Sequence, residues 1–130
     1  MALNVQAKDT ATNTVGLSDL NLKADVEYLE YVAMLDQSGT DAPVATVYKN
    51  SLGGTVVWTY STPGNYYATL SGAFPVLKTF AWFAPAFGPA LTGWGVAQDT
   101  ANRLQVSQFD GGTPSDALGV PGMLIVRVYP

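Results

Sequence analysis

At 130 residues, 48% hydrophobic and only 12% charged, the chain has the size of one domain and enough apolar content to fold around its own core. A net charge of −4, with six basic residues scattered and never clustered, removes the counterion-release chemistry of nucleic-acid binding and disfavours an anionic membrane surface. With no cysteine and no histidine, disulfide frameworks, thiolate or imidazole metal sites and Ser-His-Asp or Cys-His catalysis are excluded together.

The start of the chain, Met1 to Gln6, has no basic region followed by an apolar run, so a secretory signal is not expected. Residues 1–24 are polar, and Asp9-Thr10-Ala11-Thr12-Asn13-Thr14 has no period. They read as a polar N-terminal arm, either an assembly arm or a frayed end, ahead of a single β domain over 25–130. Val26 to Asp36 fits two periods. Tyr28, Tyr31, Val32 and Leu35 have helical spacing, whereas Leu29, Tyr31, Ala33 and Leu35 have strand spacing. The turn-punctuated β sequence that follows favours the strand.

Gln37 to Pro43 is turn chemistry, and Val44 to Tyr48 is β-branched and alternating. A second turn at Asn50 to Gly54 leads into Thr55 to Ser61, the clearest strand. Thr62-Pro63-Gly64-Asn65 is a turn with a mechanism, Pro63 fixing φ and Gly64 supplying a positive φ, and Tyr66 to Ser71 is the returning strand. Lys78 to Ala84 is the next strand. A Pro/Gly loop over Pro85 to Thr92 precedes a weak strand, Gly93 to Ala97. The apolar run from Phe80 to Phe87 contains Pro85 and is far too short to cross a bilayer.

In Arg103 to Phe109, Leu104, Val106 and Gln108 share one face, and Arg103, Gln105, Ser107 and Phe109 the other. Asp110 to Asp116 reads as loop. Met123 to Tyr129 closes the chain as a strand buried on both faces for part of its length, either inside a sheet or as an edge completed by a neighbour. About seven or eight short strands without a long helix predict an all-β fold, an antiparallel β-sandwich or jelly roll.

No arrangement of residues points to catalysis, so the chain is read as not an enzyme and as needing no cofactor. A glycosidase needs two facing carboxylates, but the acids fall mostly in predicted turns, where Asp bonds its own backbone. Asp110-Gly111-Gly112 with Asp116 offers oxygens for calcium without the spacing of an EF-hand, and turn duty is the plainer reading. Trp58, Trp82 and Trp94, with Tyr48, Tyr60, Tyr66 and Tyr67, have rings suited to sugar faces, but mid-strand Trp58 and Trp82 read as core. Phe83, Phe87 and Trp94 flank the Pro/Gly loop and are harder to bury within one domain. With Tyr129 of the last strand they form the candidate subunit interface, since aromatics are enriched in such contacts.

The order Leu35-x-Gln37-Ser38-Gly39-Thr40-Asp41-Ala42-Pro43-Val44-Ala45-Thr46-Val47, then Asn50-Ser51-Leu52-Gly53-Gly54-Thr55-Val56-Val57-Trp58, carries a resemblance. So do Gly72-Ala73-Phe74-Pro75 running into Lys78-Thr79, and the ending Arg127-Val128-Tyr129-Pro130. Over residues 29–130 the chain resembles small β-structured proteins, or C-terminal domains, of tailed bacteriophages, notably those of Bacteroidetes hosts. The resemblance implies a virion component: a capsid decoration protein, a head-fibre component or a tail-associated protein. Its partners would be other virion proteins and further copies of itself, with a host glycan as the alternative target of a fibre adhesion module. It carries no functional residues over to this chain.

Overall fold

The computed structural model describes residues 27–85, 92–116 and 121–130. The expected arm, 1–24, and the interface candidate Phe87 lie outside the described residues. The strands are β1 (Leu29–Asp36), β2 (Val44–Asn50), β3 (Val57–Thr62), β4 (Asn65–Thr69), β5 (Thr79–Pro85), β6 (Thr92–Thr100), β7 (Arg103–Asp110), β8 (Thr113–Pro114) and β9 (Gly122–Val128). They form two antiparallel sheets, four strands in the order β2-β1-β9-β5, and five in the order β3-β4-β7-β6 with β8 paired to β7. No helix lies among the described residues, and the fold is an all-β sandwich.

The period-2 alternation of the sequence sets which side chains meet between the sheets. Tyr31, Ala33 and Leu35 of β1 and Leu124, Val126 and Val128 of β9 are buried from one sheet. Ala68 of β4 and Leu104 and Val106 of β7 meet them from the other, joined by Val56, Ala73 and Phe74 from the connections. The face assigned to Leu104, Val106 and Gln108 is the inward one. The helical spacing in Val26 to Asp36 is overridden because β1 lies between β2 and β9, whose ladders take its backbone groups. The last strand is central, paired with β1 on one side and β5 on the other, which settles the two readings of it.

Three expectations differ in detail. The weak strand at Gly93 to Ala97 is part of the longest of the described strands, nine residues. The ring of Phe109 lies over Gly93 and Gly95 and supplies the packing those glycines lack. The loop from Asp110 to Asp116 contains the short β8, which pairs Phe109 with Pro114 and Asp110 with Thr113. Trp82 is not in the core. Its neighbours in β5, Ala81 and Phe83, pack against the core, so Trp82 stands on the opposite, outer face, half-buried. Trp58 packs against the core as expected, and its Nε1 donates to Tyr31 Oη at 3.2 Å.

The turn at Pro63-Gly64 has its expected mechanism. Gly64 has φ +73°, and a Cβ there would overlap the backbone of Ser115, Gln108 and Pro114. The close approach exists because Gln108 N donates to Gly64 O at 2.7 Å, while Ser115 N donates to Gln108 O at 3.0 Å.

Candidate functional site

At one end of the sandwich the two sheets are tied by a polar network. Asp116 Oδ1 accepts from Gly64 N at 2.6 Å and from Tyr66 Oη at 2.9 Å, and Oδ2 accepts from Tyr60 Oη at 2.8 Å. Tyr66 shares its proton with Gln37 Oε1, also at 2.9 Å. The Gln37 amide is fixed in turn by donating to Gly39 O and Asp41 O, at 2.7 and 3.1 Å. Burial acts to raise the Asp116 pKa, but the bonds from Gly64, Tyr60 and Tyr66 outweigh it, and the carboxyl lies below its ordinary value. Burial first, and then the Asp116 carboxylate, push the Tyr66 phenol well above its ordinary value of 10.0. Asp116, weighed from the sequence as a calcium ligand, is thus occupied as a hydrogen-bond acceptor. No group of three or more metal-ligating side chains occurs among the described residues.

The interface candidates separate in the fold. Phe83 of β5 and Trp94 of β6 stack on each other, centroids 4.1 Å apart and planes 22° from parallel. They join the sheets along one flank, and each ring already has a partner inside the domain. Gly122, opposite Pro85 in the ladder, makes room for this: a Cβ there would collide with the Phe83 ring. Tyr129 lies at the end where β1 begins and β9 ends, its ring 5.4 Å from Tyr28. The aromatics considered for a sugar face are distributed likewise. Tyr66 is buried, Trp58 and Trp94 pack inward, Tyr48 is exposed on β2, and Tyr67 lies under Arg103.

Among the described residues no element covers the outer face of the four-stranded sheet, and apolar side chains stand on it. Alternation places Val32 and Met34 of β1, Met123 and Ile125 of β9, and Phe80 and Trp82 of β5 on it. Phe80 is 58% exposed, and its ring meets Trp82 edge-on at 5.1 Å. This face was hard to see in advance, since Thr79 to Pro85 is apolar on both of its faces.

One ionic cluster interrupts the apolar face. Glu30 Oε2 accepts from Arg127 Nε at 2.8 Å, and Glu30 Oε1 is 3.2 Å from Lys49 Nζ. The Arg127 bond, with help from Lys49, holds the Glu30 carboxyl below its ordinary range despite burial. The guanidinium lies over Tyr28 at 4.6 Å and near Trp82 at 5.4 Å, so the cation is held by rings as well as by charge. Beside it, Glu27, Tyr28, Leu29, Val128, Tyr129 and Pro130 line an open cavity of about 280 Å³. Pairing of Glu30 with Arg127 joins residues 97 apart in sequence, and no local pattern announces it.

Apolar groups also crowd this end from the β4–β5 connection. Lys78 O accepts from Tyr129 N at 2.8 Å, and Leu77 just before it is 98% exposed with φ +66°. A positive φ costs a side chain with a Cβ, and here it holds a leucine out in water.

Comparison with protein-family models, curated proteins and solved structures gives no match to this chain.

Proposed function

We propose that the chain is a structural protein of a phage particle, a capsid decoration or head-fibre component that binds the particle and also itself. The observation that carries this reading is the apolar outer face of the four-stranded sheet. Four strands about 4.8 Å apart and seven residues long at about 3.4 Å each give the whole outer face, ionic cluster included, roughly 450 Å², the scale of the functional patches of soluble monomers. Such a face costs little when a repeated coat position covers it, and the low charge of the chain agrees with surfaces meant for neighbours. The resemblance of residues 29–130 to tailed-phage proteins supports the particle as the partner.

The test is co-sedimentation of labelled protein with particles of the phage that encodes it, for wild type and for Phe80→Ser/Ile125→Thr. Wild type should pellet with the particles, and the variant, which keeps strand-compatible residues, should bind at least tenfold more weakly. A wild-type protein that stays in the supernatant rejects the particle role. Undiminished binding by the variant rejects this face as the contact.

A second reading, a carbohydrate-binding or host-adhesion module of a phage fibre, is favoured by the cavity beside Tyr28 and Tyr129. Its aromatic wall and the Glu27 carboxylate have the mixed character of a sugar site. Chemical shifts of residues 27–29 and 128–130 that move on adding oligosaccharides, and stay fixed in Tyr129→Ala, would favour it. A flat titration would remove it.

A further inference from the structure

The two ends of the sandwich differ in charge. All four cations of the described residues, Lys49, Lys78, Arg103 and Arg127, lie toward the end where β1 begins and β9 ends, together with Glu27, Glu30 and Asp99. Four cations against three carboxylates leave this end with +1. Asp36, Asp41, Asp110 and Asp116 lie toward the other end, that of the Asp116 network. No cation of the described residues accompanies them, which makes −4 there. Arg103 is closed off by Asp99, whereas Lys49 and Arg127 share the one carboxylate of Glu30. Apolar exposure is sorted in the same sense: Tyr28, Leu29, Val76, Leu77 and Phe80, all exposed, belong to the cationic end.

Leu77 stands furthest out. It takes the third place of a turn that Lys78 N closes on Pro75 O at 3.3 Å, and Thr79 Oγ1 donates to the same carbonyl at 2.9 Å. A positive φ at that place calls for glycine or asparagine, yet a leucine fills it and stays almost wholly in water. Phe74, just before the turn, is buried, and its N donates to Ala101 O at 2.9 Å, so the turn is presented from a fixed base. Strain kept at an exposed apolar side chain, beside the apolar face that Phe80 belongs to, fits a contact site.

We propose that the particle surface met by this protein is acidic as well as apolar: Leu77 and Phe80 enter an apolar recess on it, and its carboxylates face Lys49, Lys78 and Arg127. Only one orientation is then attractive, with the cationic end toward the particle and the four carboxylates turned away. The inference rests on the particle role proposed above. It adds the chemistry of the partner and the direction in which the protein stands.

The experiment is co-sedimentation of the full chain with particles of the phage that encodes it, with circular dichroism confirming the fold of each variant. Leu77→Asn, which relieves the strained φ and so keeps the fold, should bind about tenfold more weakly or worse. Two double variants lower the net charge equally: Lys49→Ser/Lys78→Ser at the cationic end, and Thr40→Glu/Thr113→Glu at exposed positions of the other. The first should bind about fivefold more weakly, and the second as wild type does. Wild-type binding should also fall as NaCl rises from about 0.05 to about 0.5 M. Leu77→Asn binding as tightly as wild type, equal effects of the two double variants, or indifference to salt each overturns the inference. The particle role survives any of these if Phe80→Ser/Ile125→Thr still loses affinity. Wild type left in the supernatant rejects the particle role and the inference with it.

Discussion

Gln108 offers the sharpest test of the energetics. Its side chain is 0% exposed on the inward face of β7, and neither its Nε2 nor its Oε1 has a hydrogen-bond partner among the described residues. Its ladder partner is Trp94, whose Nε1 is also buried and unpaired. A buried amide stripped of water and given no partner costs about 1–3 kcal/mol, and replacing it with an apolar group of similar size removes that cost. Leucine is close in volume to glutamine, so Gln108→Leu should stabilise the protein by about 1–3 kcal/mol. At roughly 4 °C per kcal/mol for a chain of this length, Tm should rise by about 4–12 °C. Urea unfolding followed by tryptophan fluorescence reads the change as a higher midpoint at constant m. Gln108→Glu should do the reverse, since burial penalises its charged form, and its stability should recover as pH falls. A Gln108→Leu protein less stable than wild type by 1 kcal/mol or more would refute the reasoning, because the amide would then be making bonds that the leucine loses.

Gly64→Ala should cost more than about 3 kcal/mol, well above an ordinary loop substitution, because positive φ and backbone overlap act together; chemical denaturation measures it. Asp116→Asn should cost about 2–3 kcal/mol through loss of charge-assisted bonds from Tyr60, Tyr66 and Gly64, read the same way. Folded-state pKa values of Asp116 and Glu30 are depressed, so their stabilisation is present above the ordinary values of 3.8 and 4.5 and fades as pH falls through the lower folded values. The Tyr66 pKa is raised, so its contribution is complete below pH 10.0 and declines above it; melting temperature against pH should fall at both ends. Leu77→Asn should stabilise by about 0.5–1 kcal/mol in thermal melts, since asparagine tolerates positive φ and removes no buried contact.

Much of the fold was legible along the chain. Strand positions followed from alternation and β-branching, and turns from Pro63-Gly64 and the Asn50 to Gly54 run. In Arg103 to Phe109, alternating character also separated the inward face from the outward one. Such signals are local, a strand's period and a turn's φ being properties of a few neighbouring residues. Where both faces of a strand are apolar, as in Thr79 to Pro85, period alone gives no sign of which face turns inward. Tertiary structure decided it: Gly122 across the ladder leaves room for Phe83 to stack on Trp94, and the alternation then sends Phe80 and Trp82 outward. Long-range pairing placed Glu30 beside Arg127 and Asp116 beside Tyr66, because only the sandwich brings those positions together. Composition and local pattern thus determined the class of the fold and its strands, while the exposed apolar face arose from which strands became neighbours.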